Sequence, residues 1–257
     1  MLPLAAGVVF IAHNRAPVAV AASTPRLVHT AMQTSTGTNC TITPADLDAI
    51  TAAASDGLLA ELSVRKALLV RTITCAKTDT TLLQNNLNSI KTADTAKTIQ
   101  SQLSGKLDDA INYYNLELGR VNGAGIAGTQ SVAHDVLAWR SGTYNPLAAQ
   151  VSNFIVWTNN QPLFDTAANR LSSVESVVGF IEQAAPQNDL QSDFANAQSL
   201  VETANNENRG VADAFLRSLP PDQTLGLIQQ SLASLSDVYQ KFFDISAIVQ
   251  TLLPTKN

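Results

Sequence analysis

From residue 58 to residue 253 the large apolar side chains recur in steps of three and four, with few interruptions. Leu107, Ile111, Tyr114, Leu118 and Val121 follow one another at four, three, four and three. This is the heptad seam of a helix packed lengthwise on others. The same spacing carries Leu62, Leu69, Ile73, Ala76, Thr80, Leu83, Leu87 and Ile90, with Lys66 as the one charged intruder. It returns from Phe164 to Ile181, from Leu190 to Phe215 and from Leu225 to Leu252. Nowhere do apolar and polar residues alternate between turn signals as a strand requires. The chain therefore predicts an all-α fold, an extended antiparallel bundle of about six or seven long helices.

The breaks between seams are equally readable. Thr43-Pro44-Ala45-Asp46 supplies a capping hydroxyl, a proline suited to the first helical position and an acid for the positive end of the dipole. Asp56-Gly57 interrupts, and a long helix is expected from about Leu58 to Lys91. The short turn from Thr92 to Asp94 sends the next helix, Asp94 to Val121, back antiparallel. Asn122 to Gly128 forms a glycine-rich elbow, after which Thr129 is expected to cap a helix to Arg140. Ser141 to Pro146 reads as a second break, followed by helix to Asn160. Gln161-Pro162 is expected to start another helix, Ala185-Pro186 to stop it, and Pro220-Pro221 to separate the last two.

Residues 1–22 read as an export signal. Leu2 to Ala12 is an apolar run too short for a bilayer, which needs roughly 20 residues, and Ala19-Val20-Ala21 offers small side chains for cleavage. No Lys or Arg precedes the run; the first basic residue is Arg15, behind it. Residues 23–42, rich in Thr and Ser without periodicity, read as a flexible linker, and 43–257 as the bundle domain. Only 14% of residues are charged, against roughly 25% in an average soluble domain, so Thr, Ser, Asn and Gln must supply the polar surface. That suits an extracytoplasmic protein, secreted or envelope-associated. With a net charge of −5 and no cluster of basic residues, nucleic acid and anionic membrane surfaces are poor partners. No segment of the bundle is apolar enough to predict an integral membrane span. The two cysteines, Cys40 and Cys75, are too few for a zinc site, and in an exported chain they predict one disulfide bond.

Motifs that could carry chemistry fail on context. Gly123-Ala124-Gly125-Ile126-Ala127-Gly128 matches the dinucleotide fingerprint, but a helix precedes it where that fold needs a strand. His134 has no Glu-x-x-His partner for a bundle metal site and no nucleophile on a defined turn. Glu175 and Glu182 share a helix face and read as a solvated stripe. No catalytic residue, cofactor or metal is expected. Trp139, Tyr144, Phe154 and Trp157 concentrate aromatic area where the helices break. Irregular segments on a rigid scaffold carry binding residues more often than helix faces do. The expected binding region is therefore Gly123, Gly125 and Gly128 of the elbow with Trp139 and Tyr144 exposed beside it, and Trp157 lying deeper. The function expected is an exported, non-enzymatic helical bundle with an envelope scaffold or protein-interaction role. A module holding a small or polymeric ligand near the elbow, and a membrane-active helical protein, are the alternatives.

Overall fold

The computed structural model describes residues 42–184 and 188–252. Among the described residues the chain is all-α: α1 (Pro44–Asp56), α2 (Leu58–Ser89), α3 (Asp94–Gly123), α4 (Ile126–Trp139), a π-helical turn (Arg140–Tyr144), α5 (Asn145–Ala184), α6 (Asn188–Leu216) and α7 (Pro221–Leu252). None of these helices is long and apolar enough to cross a membrane. The expected export signal and linker, and the stop at Ala185-Pro186, lie outside the described residues.

Several punctuation marks work as the sequence predicts. Thr43 and Asp46 form a capping box: the Thr43 amide donates to the Asp46 carboxylate at 2.8 Å, and the Asp46 amide donates to Thr43 Oγ1 at 3.3 Å. Gly57 takes φ 114°, a backbone conformation closed to most side chains, and lets α1 fold back on α2. Pro220 and Pro221 divide α6 from α7, with Pro221 in the first turn of the new helix, where no N–H is needed. Lys66, the charge on the α2 seam, donates to the Asn122 carbonyl at 2.8 Å and so helps cap the end of α3.

Three expectations are corrected. Gln161-Pro162 starts no helix, because α5 runs for 40 residues with Pro162 inside it. A mid-helix proline costs about 3 kcal/mol, and here the helix is buried on both sides of it, at Phe154, Trp157 and Thr158 before and at Phe164 and Ala167 after. A polar clasp lies at the same level: Asn208 Nδ2 donates to Gln161 Oε1 at 2.8 Å, and Asn208 Oδ1 accepts from Trp157 Nε1 at 2.7 Å. Ser141 to Pro146 is no break either; the helix passes through it as a π turn, closed by the Asn145 amide donating to the Arg140 carbonyl. Thr129 does not cap α4. It is buried one turn inside, and its hydroxyl donates to the Ile126 carbonyl at 2.7 Å.

The apolar seams assemble three cores. One joins Ile73 and Ala76 of α2, Tyr114 and Val121 of α3, and Val132 and Val136 of α4. A second joins Leu87, Ile99, Leu103 and Leu107 to Val151 and Phe154 of α5, Phe215 of α6 and Ile228 of α7. A third is made by α5, α6 and α7 alone, around Phe164, Ile181, Leu190, Phe194, Val238 and Phe242. Each of α2, α3, α5, α6 and α7 contributes to two of these cores, which ties the helices into one body.

Candidate functional site

The π turn decides what the aromatic region looks like. Residues five apart fall on different faces of an α-helix, but a π turn closes its hydrogen bond five residues on and brings them into line. Trp139 and Tyr144 thereby share a face, with ring centroids 6.1 Å apart and planes 24° from parallel. Tyr113 of α3 also stacks on Trp139, at 4.0 Å, and Tyr114 meets Trp139 edge-on at 5.4 Å. Arg140 lies 5.2 Å from the centre of the Tyr144 ring.

Exposure within this stack differs from the sequence expectation. Tyr144 is 6% exposed, no more than Trp157, and belongs to the second core. The phenol at 144 is thus an anchor and not a surface contact. Trp139 and Tyr113 are the half-buried pair. Burial, with the nearby carboxylates of Glu117 and Asp135, pushes the Tyr113 phenol above its ordinary range.

Trp139 opens onto a groove of about 670 Å³ between α3, the start of α5 and the α6–α7 turn. On the α3 side Ile99, Leu103, Lys106, Ala110 and Tyr113 line it at heptad spacing. Trp139, Thr143, Pro146, Leu147 and Gln150 face them, and Phe215, Ser218, Leu219 and the two prolines close one side. The lining is mainly apolar, with Lys106 and Asp109 exposed along the α3 rim.

Two local irregularities border the groove besides the π turn. Ser218 has φ 54°, in the left-handed region that favours glycine. It sits at the end of α6, where the Leu219 amide donates to the Ala214 carbonyl and the Ser218 amide to the Phe215 carbonyl, both at 3.0 Å. These two bonds are the Schellman termination, with serine in the place glycine usually takes. Gln150 is nine-tenths buried, and its Oε1 has no hydrogen-bond donor. Its Nε2 reaches Thr224 Oγ1 at 3.4 Å.

The elbow glycines do not line the groove. The turn itself is only Ala124-Gly125, and Gly128 lies within α4. None of Gly123, Gly125 and Gly128 has a positive φ. Gly128 has a packing reason instead, since a Cβ there would come within 3.0 Å of the Ala124 Cβ. The helices on either side are tied together. Arg120 donates to both carboxylate oxygens of Glu117, at 2.8 and 2.9 Å, and to Asp135 at 2.8 Å, which holds the Asp135 carboxyl below its usual range. His134 is largely exposed, 3.8 Å from Asp135. No cluster of three or more His, Cys, Asp or Glu able to hold a metal ion occurs among the described residues. Cys75 is half-buried on α2 and is not a free thiol, while Cys40 lies outside the described residues.

Trp139 was singled out from the sequence; the groove beside it was not. The α3 part of the lining, from Ile99 to Tyr113, falls on the stripe next to the Leu107 to Val121 seam that the sequence displays. Compared with protein-family models, with curated proteins and with solved structures, the chain has no match.

Proposed function

We propose that this chain is an exported, non-enzymatic helical-bundle protein whose task is binding, and that its ligand lies in the groove between α3, α5 and the α6–α7 turn. The observation that carries the reading is the groove itself. Its volume of about 670 Å³ falls within the 300–1,000 Å³ of small-molecule clefts, which are mostly apolar with a few placed polar groups. A π turn and a left-handed serine, two irregularities that gather at functional sites, both border it. Its lining has no histidine or cysteine to serve as a general base or thiol nucleophile. The export component rests on the apolar run, the small residues behind it and a proposed Cys40–Cys75 bridge, which an oxidising compartment would sustain. A scaffold role is the second reading, with the groove taking an amphipathic helix of a partner protein; the heptad spacing of the α3 lining favours it.

Titration with the uncharged apolar dye N-phenyl-1-naphthylamine tests the binding reading. One saturable site per chain is expected, with energy transfer from Trp139. Leu147→Lys places a charge in the groove and should abolish that site while far-UV circular dichroism stays helical. Unchanged dye binding in the folded variant would remove the groove from consideration.

A further inference from the structure

We propose that α5, α6 and α7 share a joint at one level, and that the three-helix arm beyond it bends against the rest of the molecule. The arm has its own core, built by these helices alone around Phe164, Ile181, Leu190, Phe194, Val238 and Phe242. Between that core and the one holding Trp157, Val211 and Ile228 lies a polar layer. Asn208 Oδ1 of α6 accepts from Trp157 Nε1 and Gln161 Nε2 of α5, and Asn208 Nδ2 donates to Gln161 Oε1. Beside it, Glu207 Oε1 accepts from Gln230 of α7 at 2.8 Å. Ser231, 1% exposed, turns its hydroxyl back onto the Ile228 carbonyl. Leu232 packs against both cores and serves as the pivot.

All three helices are weakened at this level. Pro162 in α5 has no amide to give the Thr158 carbonyl. Asn205, Asn206, Asn208 and Gly210, all poor helix formers, fall within two turns of α6. In α7 the Ser231 hydroxyl competes for the helix's own carbonyls, a contact that favours bending. The layer also resists opening less than its neighbours do. Apolar cores expose their surface to water when pulled apart, whereas polar groups exchange one partner for another. Glu207 Oε2 is buried without a donor and gains hydration when the layer opens. Neither α2 nor α3 supplies a side chain to the arm's core, so no further helix of the bundle braces it. None of the layer residues lines the groove, which makes the joint a separate feature.

Nitroxides carried on p-acetylphenylalanine at the exposed positions Asn112 of α3 and Ser176 of α5, in the full chain, report the bend as a distance distribution by pulsed electron paramagnetic resonance. The wild-type protein should give a broad or two-peaked distribution. Pro162→Ala with Asn206→Ala and Gly210→Ala raises helix propensity at the layer and leaves the Asn208 clasp in place; a Cβ at 210 meets nothing within 4 Å. That variant should narrow the distribution. Gly105→Ala, equally unhindered but in α3, should leave it as broad. Hydrogen exchange locates the bend: amides 205–210 should exchange faster than those at 194–201 and 212–215 on either side. Gly210→Ala alone should slow them roughly fivefold, and it serves if the triple variant loses helix. A distribution that the variant leaves unchanged, or mid-α6 amides as slow as their neighbours, overturns the joint.

Discussion

Ser218 sits where an L side chain is strained: a left-handed conformation costs a non-glycine residue roughly 1 kcal/mol or more. Its backbone is held there by the two amide bonds that end α6, neither of which uses the side chain. Ser218→Gly should therefore stabilise the protein by about 0.5–1 kcal/mol, seen as a higher urea midpoint at unchanged slope. If the serine hydroxyl also contacts the ligand, the same variant lowers affinity as it raises stability. The aromatic pair divides in the opposite sense. Tyr144 is 6% exposed, with Tyr114, Trp139 and Arg140 against its ring, so Tyr144→Ala should cost about 3 kcal/mol through the cavity it leaves. Trp139→Ala, at a half-buried position, should unfold at a denaturant concentration nearer the wild type and lose more of the dye binding. A Tyr144→Ala protein as stable as the wild type would contradict its place in the core.

At the scale of elements, α1 is short and depends on its first turn. Asp46 accepts from Thr43 and from Arg71 Nη2 of α2, the latter at 2.6 Å. The Arg71 hydrogen bond, then the Thr43 amide, hold its pKa at about 2 against an ordinary 3.8. A depressed carboxyl stabilises the folded state above its unfolded pKa and loses that contribution as pH falls through the folded one. The attachment of α1 to α2 should thus be intact at pH 5 and loosen between about pH 4 and pH 2. Hydrogen exchange of α1 amides should accelerate there before those of α3, and Asp46→Asn should bring the faster exchange to neutral pH. What the sequence disclosed at this scale follows from local physics. Heptad spacing gave the helices, and Thr43-Pro44, Gly57 and Pro220-Pro221 gave their ends, because caps and turns act within a few residues. Pro162 misled because the burial that outweighs it comes from α6 and α7, far off in the chain. The π turn misled for a related reason: Ser141-Gly142 reads as a break, and only the stack on Tyr113 and Tyr114 shows why the helix continues with Tyr144 turned inward. The groove was hidden because α3, the start of α5 and the α6–α7 turn that line it lie far apart in the chain, and spacing records only local order.

For the whole molecule, a Cys40–Cys75 bridge would close a loop of about 35 residues, which in the chain-entropy model stabilises by roughly 3–4 kcal/mol. Unreduced, denatured protein should show no titratable thiol, and reduction should lower the melting temperature; two free thiols would remove both the bridge and much of the case for export. The cores set a further condition. The second is shared by α2 and α3 on one side of Ala124-Gly125 and α5, α6 and α7 on the other, and the first by α2 and α3 with α4. Arg120 and Asp135 reach across the same point. The peptide link at the elbow is therefore the least needed of the connections between these halves. A chain cleaved there would yield two polypeptides that each expose apolar faces made for the other, so that they should recombine in dilute solution and restore the groove from two separate molecules.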